Sequence, residues 1–309
     1  MNQITILVIL IGVSFISASC GNSSSAPVSE EEIGNPPKFT TATPEPDFSV
    51  PNGWVLFPKP KADSREMHCA NWSVNNEWKV ASESGKLTVS KYVYKDDEQF
   101  WKLPASLKEH ILKNRNIGKG LGGYLHIESY ENGWLVGSDA GEWGGKLFWF
   151  SEDASQKTEL LNDNVRGIAR VGNNVVILSG LAHLGTDEGK IYRLVHGENG
   201  SLKTQLIIDL KTQPQGFLVD NDKRILVTLN NKILQLNPLG ETEVLKETNF
   251  ESLYPNSMAI TSSGVVYVGM RLFIVRFVPG ENGFTEEWLV PQNCQKFVEK
   301  EMSCVCQSS

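Results

Sequence analysis

Trp134-Leu135-Val136-Gly137-Ser138-Asp139-Ala140-Gly141-Glu142-Trp143-Gly144-Gly145-Lys146-Leu147-Phe148-Trp149-Phe150 is a short apolar strand, a Gly-rich turn and a second apolar strand. The same phrase can be laid out over residues 78–94, 175–194, 225–236 and 265–277. In each, two β-rich runs flank a turn of Gly, Asn or Ser, the signature of a hairpin. Two of the turns carry inserts, residues 139–145 and 180–189. The second run often alternates, as in Lys232-Ile233-Leu234-Gln235-Leu236, so one side of the pleat faces a core.

From Trp134 to Val175, Ile225 and Val265 the phrase returns every 40–50 residues or about that, the period of four-stranded propeller blades. A weaker strand candidate precedes each of the last three hairpins (165–171, 216–219, 257–261). Another follows each hairpin from the 134–150 one onward (158–161, 204–210, 243–245, 286–290). The expected fold is therefore all-β, a β-propeller of five four-stranded blades, with six as the alternative count. A two-sheet sandwich also has many short strands, but it does not predict a recurring hairpin. Residues 53–57 read as a lone strand that pairs with the last blade, and 72–94 as the remainder of blade one. A sixth blade would have to hide in 53–123. Leu107, Ile111 and Leu112 have helical spacing, so a short inserted helix is expected within 103–116. The loop 114–123 is basic and Gly-rich. It lacks the Gly-Lys-Ser/Thr ending of a phosphate loop, and a strand rather than a helix follows it.

The chain has 309 residues and a net charge of −7, with no run of Lys or Arg, so no nucleic-acid partner is expected. Residues 4–16 are almost wholly apolar and are followed by Ser17-Ala18-Ser19-Cys20. A stretch that short is a signal-peptide core, not a membrane span. The tetrapeptide resembles a bacterial lipobox. That resemblance implies a signal peptide over 1–19, acylation of Cys20 and a bilayer as partner, with plain secretion by cleavage after Ser19 as the alternative. Gly21 after the Cys implies an outer-membrane destination. Residues 20–47, rich in Ser, Thr, Pro and Glu, read as a lipid-anchored disordered linker, 48–297 as the propeller and 298–309 as a cysteine-containing tail.

Five cysteines fit export better than a reducing compartment. With Cys20 set aside, Cys69, Cys294, Cys304 and Cys306 allow three pairings. Cys304 and Cys306 are one residue apart, which strains a bridge between them. The expected pattern joins Cys69 to one of them and Cys294 to the other, near where a propeller's two chain ends meet. A zinc site is disfavoured because no His lies near the Cys-Val-Cys.

The hairpin turns should project to one side. That would bring together Asp139, Glu142, His183, Asn256 and Arg271, with Trp143 and Asn230 on neighbouring turns. Glu142 and His183 are the best catalytic candidates, since a carboxylate beside an imidazole can move a proton. Asp139, Trp143, Asn230, Asn256 and Arg271 are the candidate binding residues.

Gly189-Lys190-Ile191-Tyr192-Arg193-Leu194 and Gly264-Val265-Val266-Tyr267-Val268-Gly269 look like the blade hairpins of bacterial NHL-type and quinoprotein-like propellers. The resemblance spans roughly residues 53–291 and is architectural, so it implies a fold and not an activity. Quinoprotein cofactor residues and the acidic metal cluster of gluconolactonase-like propellers do not map onto this chain, so no cofactor and no metal are expected. The leading expectation is an envelope-associated binding or scaffold lipoprotein using one face for a protein or glycan partner, with an inhibitor or immunity protein as its narrower version. The alternative is a metal-assisted hydrolase or cyclase at the central channel mouth.

Overall fold

A computed structural model describes residues 47–73, 76–93, 98–237, 240–251, 253–281, 283–300 and 303–307. The signal peptide, Cys20 and nearly all of the linker lie outside the described residues. Strand β1 (Trp54–Phe57) and helix α1 (Arg65–Trp72) precede a hairpin of β2 (Trp78–Glu83) and β3 (Lys86–Lys91). Helix α2 (Ala105–Asn114) leads into β4 (Tyr124–Tyr130), β5 (Gly133–Asp139), β6 (Leu147–Ser151) and β7 (Lys157–Leu161). Next come β8 (Val165–Val171), β9 (Asn174–His183), β10 (Thr186–His196) and β11 (Leu202–Asp209), then β12 (Gly216–Val219), β13 (Ile225–Thr228), β14 (Lys232–Leu236) and β15 (Thr242–Glu247). The chain closes with β16 (Ser257–Ile260), β17 (Val266–Gly269), β18 (Ile274–Gly280), β19 (Gly283–Pro291), and a last pair, β20 (Lys296–Lys300) and β21 (Ser303–Gln307).

β4–β7, β8–β11 and β12–β15 are each a four-stranded antiparallel meander, and β16–β19 is a fourth that β1 extends to five strands. This make-up is consistent with a β-propeller. The β1–β19 pairing (Trp54 opposite Pro291) is the one expected for residues 53–57. It ties the start of the folded body to its last large sheet.

Neighbouring sheets approach closely, and glycine makes that possible. A Cβ on Gly167 of β8 would sit 2.1 Å from the Phe217 ring of β12, and one on Gly269 of β17 would sit 2.4 Å from the Trp78 carbonyl. Each gap is filled by alternate apolar residues from two adjacent sheets. Leu178 and Ile191 of one pack with Val227 and Leu234 of the next.

Leu107 and Ile111 lie one turn apart on α2, are fully buried, and pack with Ile127, Val136 and Phe150 of the β4–β7 sheet. The inserted helix is thus where its spacing put it. Helix α1 was not anticipated. Ser64 caps it by accepting from the Met67 amide (3.4 Å), and Cys69 and Ala70 are its buried residues.

Four expectations need correction. Residues 72–94 do not complete a four-stranded blade: Trp72 ends α1, and β2–β3 stand as a two-stranded sheet. Among the described residues, 53–123 contributes only three strands, too few for a hidden further blade. The insert at 180–189 is not a loop, because β9 and β10 stay paired to His183 and Thr186 and close on Leu184-Gly185. The C-terminal segment is not merely a cysteine-containing tail. β20 and β21 pair with each other, Phe297 is buried in the largest core cluster, and the expected tail boundary falls inside β20.

The disulfides join Cys69 to Cys304 and Cys294 to Cys306, one of the two pairings left open by the sequence. Residues 45–309 form one compact unit that holds every core cluster and both disulfides. A body starting at residue 48 therefore carries the interactions that fold it.

Candidate functional site

Strand register fixes which residues share an end of the sheets. Tyr124 pairs with Asp139, Val165 with Ser179, Gly216 with Thr228 and Ser257 with Gly269. Because the strands alternate in direction, the 140–146 turn, the 184–185 tip, Asn230, Asn256 and Arg271 all lie at that end.

The 140–146 turn is bolted down. Asp139 accepts from the Gly141 amide (3.0 Å), and its other oxygen is ion-paired with Arg166. Asn164 donates to the Gly141 carbonyl (2.8 Å) and accepts from the Ala140 amide (3.3 Å). This scaffold thrusts Trp143 outward, 67% exposed. Beside it Glu142 Oε2 lies 2.8 Å from His183 Nε2, both partly open to solvent. The two sequence-predicted candidates for proton transfer are therefore within hydrogen-bond reach, and they link one sheet to the next.

His183 sits at the end of the extended β9–β10 hairpin. The base of that hairpin is held by Asp187, which accepts from the Gln213 amide (2.7 Å), and by Gln213, whose side chain donates to the Gly180 carbonyl (3.3 Å). Its tip is Leu184 (φ 46°) and Gly185 (φ 85°), a two-residue turn with both residues in the left-handed region. Leu184 is 91% exposed. A branched side chain is disfavoured in that backbone region and packs on nothing here.

Asn256 and Arg271 come together elsewhere on the same end, in a buried network and not on an open loop. Arg271 donates through Nε to Glu77 Oε1 (2.8 Å) and through Nη1 to the Asn71 carbonyl (3.1 Å), and its guanidinium lies over the Tyr254 ring (3.6 Å). Asn256 reaches the other Glu77 oxygen (3.4 Å) and accepts from Ser257, whose hydroxyl in turn accepts from the Val80 amide (2.9 Å). Glu77 is 1% exposed, so this is a desolvated ion pair that joins α1, β2 and the β16–β17 region. Asn230 is half-buried, and its carbonyl accepts from the Phe250 amide (2.7 Å).

Tyr92 connects the two halves. Burial pushes its hydroxyl above the ordinary tyrosine range. The Arg166 charge opposes that shift, while Glu77, Tyr124 and Asp139 reinforce it. One phenol thus feels both ion pairs. Among the described residues no three His, Cys, Asp or Glu side chains are grouped closely enough to hold a metal.

Glu77, Tyr92, Asn164 and Arg166 escaped the sequence reading. Three of them had a usable signal, because each stands within one residue of the start of a strand that opens a sheet. Glu77 precedes Trp78, Asn164 and Arg166 flank Val165, and Asn256 precedes Ser257 in the same way. Aligning the repeat on that strand, and not on the hairpin, brings them into register.

No protein-family model matches the chain, and no curated protein does. A virginiamycin B lyase from Staphylococcus aureus superposes with 17% identity and a TM-score of 0.36, over 52% of this chain and 54% of that one. A streptogramin B lyase gives 15% identity and a TM-score of 0.36, over 69% and 68%. The extracellular domain of a one-component system from Bacteroides thetaiotaomicron gives 13% identity and a TM-score of 0.38, over 69% and 28%. The chain thus spans about half to two thirds of the lyases' length. None of these superpositions is tight enough to carry an argument about activity.

Proposed function

We propose that the chain is an exported five-bladed propeller, tethered through acylated Cys20, that binds a protein partner with the end of the ring carrying Trp143 and Leu184. The observation that carries this reading is Leu184. Packing does not call for an apolar side chain that is 91% exposed, and backbone geometry disfavours one at φ 46°. A partner that receives it supplies the missing reason, and Trp143, 67% exposed at the same end, is of the residue type that dominates interface energetics when it fills a pocket. Trp143 follows Glu142 and Leu184 follows His183, so the 2.8 Å Glu142–His183 pair brings together the two segments that carry them. The 140–146 turn and the base of the β9–β10 hairpin are pinned by hydrogen bonds, which limits the ordering cost of association.

Export is supported by the two disulfides, which persist in oxidising compartments. Five blades are supported by four large sheets plus the β2–β3 pair, whose Glu77 bridges to Arg271 beside the last large sheet. Among the described residues no helix is long and apolar enough to cross a membrane.

The test is an affinity capture from envelope extract with the disulfide-bonded body 48–309 as bait, run beside Leu184→Asp and Trp143→Ala. A control variant, Lys223→Asp, lies at the opposite end of the sheets. The reading requires a protein retained by the parent and by the control but lost with the first two variants. Equal retention by all four baits sinks it.

The Glu142–His183 distance also keeps a second reading in play, acid–base catalysis at this end of the ring. The two are separable. Under the binding reading, Glu142→Gln, which keeps the side chain's shape and a hydrogen bond to His183, leaves the captured partner in place; under the catalytic one, it loses turnover of whatever substrate the face accepts.

A further inference from the structure

On a chain of net charge −7, the short segment 98–119 is basic: Lys102, Lys108, Lys113, Arg115 and Lys119 stand against Glu98 and Glu109. No two of the five are adjacent, so the excess does not read as a run. The fold collects them. α2 buries Leu107 and Ile111 against the β4–β7 sheet and turns Leu112 and Lys113 outward. Lys108 bonds the Trp101 carbonyl (2.9 Å) and lies 5.8 Å from that ring's centroid. The turn 117–119 folds back so that Lys119 reaches Asn114 (2.9 Å). Lys146 packs its stem against Gly120 and pairs with Glu159 (2.7 Å), and the Lys157 ammonium lies 3.7 Å from the Phe148 ring. The same strip exposes three large apolar side chains, Trp101 (71%), Leu112 (54%) and Ile117 (46%).

We propose that this strip, α2 with the segments on either side of it, is a peripheral contact for an anionic lipid leaflet. A protein interface gathers its apolar residues into a core and leaves charges at the rim. Here Trp101, Leu112 and Ile117 are interspersed with cations, the pattern of an interfacial helix whose rings and alkyl stems enter the headgroup boundary while ammonium groups stay with lipid phosphates. The charge is complementary to such a leaflet, whereas the rest of the body is acidic. The contact does not need acylation of Cys20, and of the partner-binding end it borders only Lys146 of the 140–146 turn.

The experiment is co-sedimentation of the disulfide-bonded body 48–309, which carries no acyl chain, with phosphatidylcholine vesicles made with or without phosphatidylglycerol. The parent is expected to sediment with the anionic vesicles at low salt, to be released at high salt, and to ignore the neutral ones. Each basic side chain near an anionic surface strengthens partitioning about fivefold. Lys108→Glu with Lys113→Glu and Lys119→Glu should therefore weaken it by ~100-fold or more. The vesicle-induced blue shift in tryptophan emission should disappear in Trp101→Phe. Leu184→Asp should sediment like the parent, which separates failure here from failure of the partner-binding reading. All three reversed positions are on the surface, and unchanged thermal unfolding confirms the variant's fold. No sedimentation with anionic vesicles, equal sedimentation of the parent and the triple variant, or equal binding to neutral vesicles each overturns the proposal.

Discussion

At single residues, folding and function pull in different directions, and Leu184 is the clearest case. Its left-handed backbone suits Asn or Gly, so Leu184→Asn should stabilise the body by about 1 kcal/mol in urea unfolding while weakening partner capture. A loss of stability would mean that the tip leucine packs after all. Glu77 is the opposite case, a residue whose work is in the fold. Glu77→Gln strips the Arg271 guanidinium of its anionic partner in a desolvated site, so a loss of about 3–5 kcal/mol is expected by the same measurement. A loss below ~1 kcal/mol would place that pair among weak surface bridges. His196 adds a pH dependence. It donates to the Gly200 carbonyl (3.2 Å) and meets Glu131 (2.8 Å), and both contacts favour the imidazolium and raise its pKa above the ordinary 6.5. Its contribution to stability is fully present below the unfolded pKa and is lost as pH rises through the higher folded one. An NMR titration should find His196 titrating above the ordinary 6.5, and Glu131→Gln should bring it down.

At the level of elements, the C-terminal hairpin and α1 hold each other in place. The Cys69–Cys304 bridge spans 235 residues of chain. Ser73 supports it by donating to the Cys69 carbonyl (2.7 Å) and accepting from the Cys304 amide (3.2 Å). Cys69→Ser with Cys304→Ser should cost about 2–5 kcal/mol and make amides of α1 and β20–β21 exchange first, while β8–β15 stay protected. Uniform loss of protection would show that the clasp governs the whole body. These two elements were also the ones the sequence hid. α1 is announced by little more than its Ser64 cap, because Arg65, His68 and Asn71 blur its apolar stripe. In β20 only Phe297 and Val298 stand out between charged residues, so a strand looks like a tail. The repeated hairpins were legible for the converse reason: alternation, turn residues and length agreed at each. Glu142 and His183 could be paired from the repeat alone, since both occupy turns of adjacent hairpins. The Glu77–Arg271 pair could not, because it joins residues 194 apart that meet only when the first hairpin docks beside the last large sheet.

At the scale of the molecule, the two ends of the sheets are distinguishable, and this bears on how a tethered protein would present itself. Glu77, Trp143, Leu184 and Arg271 mark one end. The first described residue, Asp47, lies at the other, where its carbonyl accepts from Ser263 (3.0 Å) in the turn between β16 and β17. Arg276 fastens the next two residues by donating to the Phe48 (2.9 Å) and Ser49 (2.7 Å) carbonyls. The adjacent turn of β2–β3 meets that of β16–β17 through Ser262 and Gly85 (3.2 Å). A chain anchored upstream of Asp47 therefore enters the body at the end away from Leu184. If Cys20 is the anchor, deleting residues 23–45 draws the Asp47 end toward the bilayer and leaves the Trp143 and Leu184 end open to solvent. Capture of a soluble partner by the membrane-bound, shortened protein should then equal that of the full-length form. A sharp drop on shortening would mean that the partner-binding end faces the lipid, and the assignment of that end to Leu184 would have to be reversed.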